Sequence, residues 1–103
     1  MNILLVCAAG MSTSLLVIKM KQAALNRGIK LNIQAMPINE IKNYKDPITV
    51  ILLGPQVRHQ IKQVNALYPD VPAQVIDMRD YGMMNGENVL DDALRLAERT
   101  GRM

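Results

Sequence analysis

Tryptophan and phenylalanine are absent from this 103-residue chain, which carries a single cysteine and a single histidine. One cysteine excludes an internal disulfide, the usual support of small secreted domains; with no signal peptide in evidence, a reducing cytoplasm is the expected location. One cysteine and one histidine also fall short of an ordinary metal-ligand set, so neither metal nor other cofactor is expected. No apolar run reaches the roughly 18 residues needed to cross a bilayer, because Lys19 and Lys21 interrupt the longest candidate. The most telling absence is of charge: from Met1 to Ile18 no side chain carries a formal charge. Whatever that stretch binds must be held by backbone and hydroxyl groups.

What is present describes one compact domain over residues 1–103. Half of the residues are hydrophobic, 20% are charged and the net charge is +3. At this size folding buries roughly 65% of the surface of the unfolded chain, enough for a core without staples. Lysines and arginines are interleaved with acids, which gives no basic stripe, and nucleic-acid binding is not expected. There is no repeat, low-complexity tract or linker, and Gly and Pro fall singly at places that read as element ends.

Asn2 to Cys7 and Ile48 to Leu53 are short, nearly continuous apolar runs. Such runs suit strands buried on both faces of a parallel sheet. Lys30 to Met36 alternates, with Leu31, Ile33 and Ala35 on one side and Asn32 and Gln34 on the other, and reads as an edge strand. Ala73 to Met78 reads as a fourth strand at the other edge. Between strands the period becomes helical. Ser14 to Asn26 places Leu16, Met20, Ala23 and Ala24 inward, with Gly28 as the stop. Gln56 to Tyr68 places Val57, Ile61, Val64 and Leu67 inward after Pro55, and Glu87 to Thr100 does so with Leu90, Ala93, Leu94 and Ala97. Ile38 to Tyr44 reads as a shorter helix. The sum is an α/β domain with a four-stranded parallel sheet, order 2-1-3-4, and helices on both faces. Ligands of such sheets bind at the carboxyl ends of the strands beside the switch point, here after Cys7.

The turn Cys7-Ala8-Ala9-Gly10-Met11-Ser12-Thr13-Ser14 suits a tetrahedral dianion. Small residues let the backbone fold back with several N–H groups inward, the hydroxyls cap or donate, and the helix start adds partial positive charge. The same amides favour a thiolate at Cys7. Each part also has a plain structural reading: the cysteine as a small core hydrophobe, Ser-Thr-Ser as a cap. Their conjunction at a switch point is what turns the segment into a candidate site.

That turn, with Ile51-Leu52-Leu53-Gly54-Pro55-Gln56-Val57, Val75-Ile76-Asp77 and Tyr81-Gly82, resembles the IIB component of the lactose/cellobiose (chitobiose) family of the bacterial phosphoenolpyruvate-dependent sugar phosphotransferase system. The resemblance implies a cytoplasmic domain whose Cys7 takes a phosphoryl group from a phosphohistidine of the IIA component. It then gives the group to a sugar held by the membrane IIC component, working transiently at the inner face of the membrane. It implies a phosphate loop of Ala8, Ala9, Gly10, Met11, Ser12, Thr13 and Ser14, with Gln56, Asp77 and Tyr81 on the surrounding rim. The free chain is expected to be a monomer.

The nearest competing chemistry is that of low-molecular-weight tyrosine phosphatases, whose phosphate-loop fold this one resembles. Their loop needs Cys, five residues, then Arg; counting from Cys7, the Arg position holds Thr13. Without that guanidinium, transition-state charge is less stabilised when the protein acts alone. Asp80-Tyr81 also lacks the proline of their Asp-Pro-Tyr segment. A second class, a phosphate-binding or oxidant-sensing module without transfer, would show no labelling by a IIA partner. His59, between Arg58 and Gln60 on the outward side of its helix, reads as a surface residue.

Overall fold

The computed structural model describes residues 1–8 and 14–99. In chain order the elements are β1 (Asn2–Cys7), α1 (Ser14–Asn26), β2 (Asn32–Pro37), α2 (Ile38–Ile41), β3 (Val50–Leu53), a 3-10 turn (Pro55–Gln60), α3 (Ile61–Leu67), β4 (Ala73–Val75), α4 (Met78–Gly82) and α5 (Gly86–Arg99). The sheet is parallel throughout with order β2-β1-β3-β4, as the apolar runs and crossover rules require.

The central strands look uniformly apolar because they are covered twice. Side chains alternate across a strand. Ile3, Leu5, Val50 and Leu52 therefore pack with Leu16 and Met20 of α1 and Val89, Ala93, Leu96 and Ala97 of α5. Leu4, Val6, Ile51 and Leu53 pack on the opposite face with Ile41, Val57 and Val64. The amino end of the sheet is laced by Asn2, whose N–H donates to Thr49 Oγ1 (3.0 Å) and whose side-chain amide donates to the Pro47 carbonyl (2.9 Å). Gly28, in the left-handed region at φ 68, ends the turn after α1.

Helix α1 has the expected limits and the expected buried residues, Leu16, Met20, Ala23 and Ala24. Other elements differ. The helix read over Gln56 to Tyr68 is two pieces, because Val57 reaches the core in a non-helical conformation (φ -117, ψ 22) and a bend follows. One straight helix would align Val57, Ile61, Val64 and Leu67; instead Ile61 is partly buried and Leu67 is exposed. The Ala73 to Met78 strand ends at Val75. Asp77 then turns the chain into α4, its Oδ1 accepting from the N–H groups of Arg79 (2.8 Å) and Asp80 (3.2 Å). β2 is shifted to Asn32–Pro37 and Ala35 is exposed rather than inward; on this edge strand only Ile33 is fully buried, with Met36 partly so on the other face. β3 begins at Val50 rather than Ile48, α2 stops at Ile41, and α5 starts one residue earlier with Val89 and Leu96 buried and Leu94 only partly so. Thr100, read as the last helical residue, lies outside the described residues.

Candidate functional site

Cys7 is the last residue of β1, at the carboxyl edge of the sheet and between its two neighbouring strands. It is 8% exposed, whereas Val6 before it is fully enclosed. By strand alternation its side chain falls on the Ile3 and Leu5 face, the one covered by α1 and α5. A parallel sheet makes α1 run back antiparallel to β1, so α1 must start at this same edge. Its N-terminal N–H groups and their partial positive charge lie on the Cys7 side of the molecule. Ser14, the first residue of α1, is exposed, and Ala8 is half-buried against the Leu4 and Val6 side of the core. Ala9, Gly10, Met11, Ser12 and Thr13 of the expected loop lie outside the described residues.

The next strands complete the rim. The Gly54 N–H donates to the Val6 carbonyl (2.9 Å), and the Ile76 N–H donates to the Leu53 carbonyl (2.8 Å), so the chain leaves β3 and β4 at the level of Cys7. A Cβ at Gly54 would lie 3.2 Å from Gln56 Oε1, 3.6 Å from Tyr81 Cε1 and 3.7 Å from the Val6 oxygen. Gln56 and Tyr81 are thereby brought together over the end of β1 and β3. Gln56 is exposed, while Tyr81 is 6% exposed and packs with the same core cluster as Leu5. Burial pushes the Tyr81 phenol above its ordinary range, and negative charge at Cys7 adds to the push. Asp77 is exposed and engaged in capping α4, which positions Tyr81.

Between the 3-10 turn and α4 lies a recess of ≈ 200 Å³ lined by Pro55, Gln56, Arg58, Met78, Tyr81 and Gly82. Met78 escapes sequence reasoning because α4 does, and Arg58 because it reads as the outward side of one continuous helix. The available signal was Asp77 ahead of a short helical segment, an N-cap residue followed three positions later by Asp80. His59 is exposed, as read. A wider groove of ≈ 330 Å³ lined by Gln74, Asp92, Arg95, Glu98 and Arg99 shares no residue with this rim and offers no nucleophile. Among the described residues no group of three or more His, Cys, Asp or Glu is placed to hold a metal ion, and no helix is long and apolar enough to cross a membrane.

A doubly wound parallel sheet with a cysteine closing its switch-point strand defines a class of α/β domains whose ligands bind at the carboxyl edge of the sheet. Within that class the chain belongs to the family described as "PTS system, Lactose/Cellobiose specific IIB subunit", whose model matches residues 2–92, and is thus a component of a sugar phosphotransferase system. It is 46% identical over 101 residues to the PTS system cellobiose-specific EIIB component of Lactococcus lactis subsp. lactis, covering 91% of this chain and 94% of the relative. The oligo-beta-mannoside-specific EIIB component of Bacillus subtilis is 37% identical over 98 residues, covering 92% and 94%. Among solved structures, the cellobiose-specific phosphotransferase IIB component of Borrelia burgdorferi superposes with a TM-score of 0.80 at 39% identity, covering 97% of this chain and 94% of that one. The lactose-specific IIB domain of Streptococcus pneumoniae also gives 0.80, at 14% identity, covering 93% and 96%, a likeness of fold alone.

Proposed function

We propose that this protein is the phosphocarrier of its system. The Cys7 thiolate attacks the phosphorus of a phosphohistidine on the IIA component; the S–P bond forms as the N–P bond breaks and its electron pair returns to the imidazole. A hydroxyl of a sugar held by the membrane IIC component later attacks the same phosphorus. The S–P pair then returns to sulfur and the hydroxyl proton is released. The sugar is a β-linked disaccharide such as cellobiose, chitobiose or lactose, a class that the names of the cellobiose and oligo-beta-mannoside relatives favour. All of residues 1–103 serve as one unit, working in the cytoplasm and transiently at the inner face of the membrane.

The observation that carries this reading is the placement of the only thiol at the carboxyl edge of β1, in a stretch without formal charge that leads into the start of α1. Backbone N–H groups and hydroxyls of Ala8 to Ser14 hold the phosphoryl oxygens, with Gln56, Asp77 and Tyr81 shaping the rim. Thr13 stands where a phosphatase has its arginine, so stored phosphocysteine outlasts the wait for its acceptor. Exposed Leu15 and Met78 offer partner proteins apolar contact at the starts of α1 and α4.

Mass spectrometry after incubation with the general phosphotransfer proteins and a IIA component tests this. The phosphoryl mass is expected on Cys7 and absent from Cys7→Ser. Labelling of Cys7→Ser at normal stoichiometry, or none on the wild type, overturns the proposal.

A further inference from the structure

Lysines and arginines mix with acids along most of the chain, but not at its beginning. The first Asp or Glu is Glu40, whereas Lys19, Lys21, Arg27 and Lys30 all precede it. Folding keeps this asymmetry on one side of the molecule, because Leu16 and Met20 of α1 pack with Ile33 of the edge strand β2. Of the acids on the neighbouring α5, Glu87 and Asp91 are both engaged by Arg27 and Asp92 by Arg95. Glu98 borders the groove beside Gln74 of β4, at the other edge of the sheet.

The outward side of α1 is apolar where a surface helix is ordinarily polar. With Leu16, Met20, Ala23 and Ala24 inward, Leu15, Ile18, Gln22 and Leu25 follow at steps of three and four along the opposite side. Leu15, Ile18 and Leu25 are 47%, 50% and 79% exposed. The stripe runs about 15 Å along the helix. Exposed Lys19 and Lys21 border it, one on each side.

We infer that this side of α1 is a docking surface for an anionic lipid bilayer. The three aliphatic side chains enter the headgroup boundary, and Lys19 and Lys21 meet lipid phosphates beside them. A second copy of the chain fits poorly, because its own Lys19 and Lys21 would fall at the flanking positions where paired helices need opposite charges. Three such side chains also supply only on the order of 300 Å² of apolar surface, against roughly 800 Å² per partner in a stable protein interface. A fluid lipid surface needs no matching shape, and lysine stems lie along apolar material with their ammonium groups at the phosphates. With α1 flat on the bilayer, α2 and α3 on the opposite face of the sheet turn away from it, and the Cys7 edge is directed along the membrane plane. Contact of this kind is weak and reversible. Its use in delivering a phosphoryl group to a membrane component rests on the carrier reading; the lipid contact itself does not.

Co-sedimentation with phosphatidylglycerol-rich vesicles tests the inference, with pure phosphatidylcholine vesicles for comparison. The protein should bind the first far more tightly than the second, and binding should be lost when salt is raised from about 0.1 M to 1 M, which shortens the screening length from about 10 Å to 3 Å. Ile18→Gln, Leu25→Gln together keep helix propensity and should weaken binding about tenfold or more. Lys21→Gln should weaken it about fivefold, the weight of one lysine at an anionic surface. Leu67→Gln, an exposed leucine on α3, should change nothing. Paramagnetic headgroups in the same vesicles should broaden the Ile18 and Leu25 methyl signals and spare Leu67, a reading that needs no variant to fold. Absence of binding to anionic vesicles, equal binding by the double variant, or broadening at Leu67 instead overturns the inference. Dimerisation that the double variant abolishes gives the stripe to a second copy, and loss of phosphoryl uptake from IIA with vesicle binding intact gives it to that partner; either result also overturns the inference. Labelling of Cys7 is read without vesicles, so the carrier reading stands or falls separately.

Discussion

Replacing Gly86 by alanine tests how closely the two helices that flank the Cys7 face approach one another. A methyl group at Gly86 would lie 2.5 Å from the Lys19 carbonyl carbon and 2.7 Å from both Lys19 Cβ and its oxygen. Comfortable carbon contacts begin near 3.5 Å, so α1 and α5 must part by roughly 1 Å. A side-chain rotamer change gives no relief, because the clash is with helical backbone. One turn inward, fully enclosed Met20 and nearly enclosed Ala23 face Leu90 and Ala93, and separation would open space among them. Overpacking of this kind costs about 1–3 kcal/mol, against a gain of at most about 1 kcal/mol for alanine over glycine in a helix. A net loss of about 1–2 kcal/mol lowers the midpoint of a domain this size by roughly 4–16 °C. Thermal and urea unfolding read it directly. Gly82→Ala is the internal control: nothing lies within 4 Å of its Cβ position and its φ is not positive, so its stability should be unchanged or slightly raised. A Gly86→Ala protein as stable as the wild type would refute the backbone contact.

Asp77→Ala should cost about 0.5–2 kcal/mol through loss of the N-cap; amide exchange should quicken at Arg79 and Asp80, whose N–H groups the carboxylate accepts. Unchanged protection there would show that α4 does not depend on its cap. Alkaline unfolding should expose the tyrosines. Tyr44 and Tyr81 are both pushed upward by burial, so the folded state keeps protons that the unfolded state loses, and stability should fall as pH rises above about 10. A Tyr44→Phe, Tyr81→Phe double variant should flatten that slope, and an unflattened slope would sink the assignment.

Much of the site was legible in order along the chain. The apolar run ending at Cys7, the uncharged stretch that follows and the helix stripe from Leu16 to Ala24 place a candidate nucleophile between a central strand and a helix start without any tertiary information. The segment from Val75 to Gly82 was much less legible. Reading it as strand through Met78 hides α4, because a five-residue helix has too few turns to show a period and is specified by the Asp77 cap. The continuous reading of Gln56 to Tyr68 failed for a related reason: Val57 satisfies an apolar stripe equally well in a 3-10 turn, and only its contact with the β3 face decides between them.

Local periodicity and the parallel-crossover rule therefore determined the fold, the strand order and the identity of Cys7 as the candidate nucleophile, since these depend on residue spacing within each element. Only the tertiary structure decided that Tyr81 is enclosed at the carboxyl edge of the sheet, that Gly54 and Gln56 meet it there, and that Gly86 presses on Lys19. Those are meetings between residues 25 to 67 positions apart, or between neighbours whose shared surface is set by a third strand. No local pattern carries them, because they arise when separate elements compete for the same buried volume.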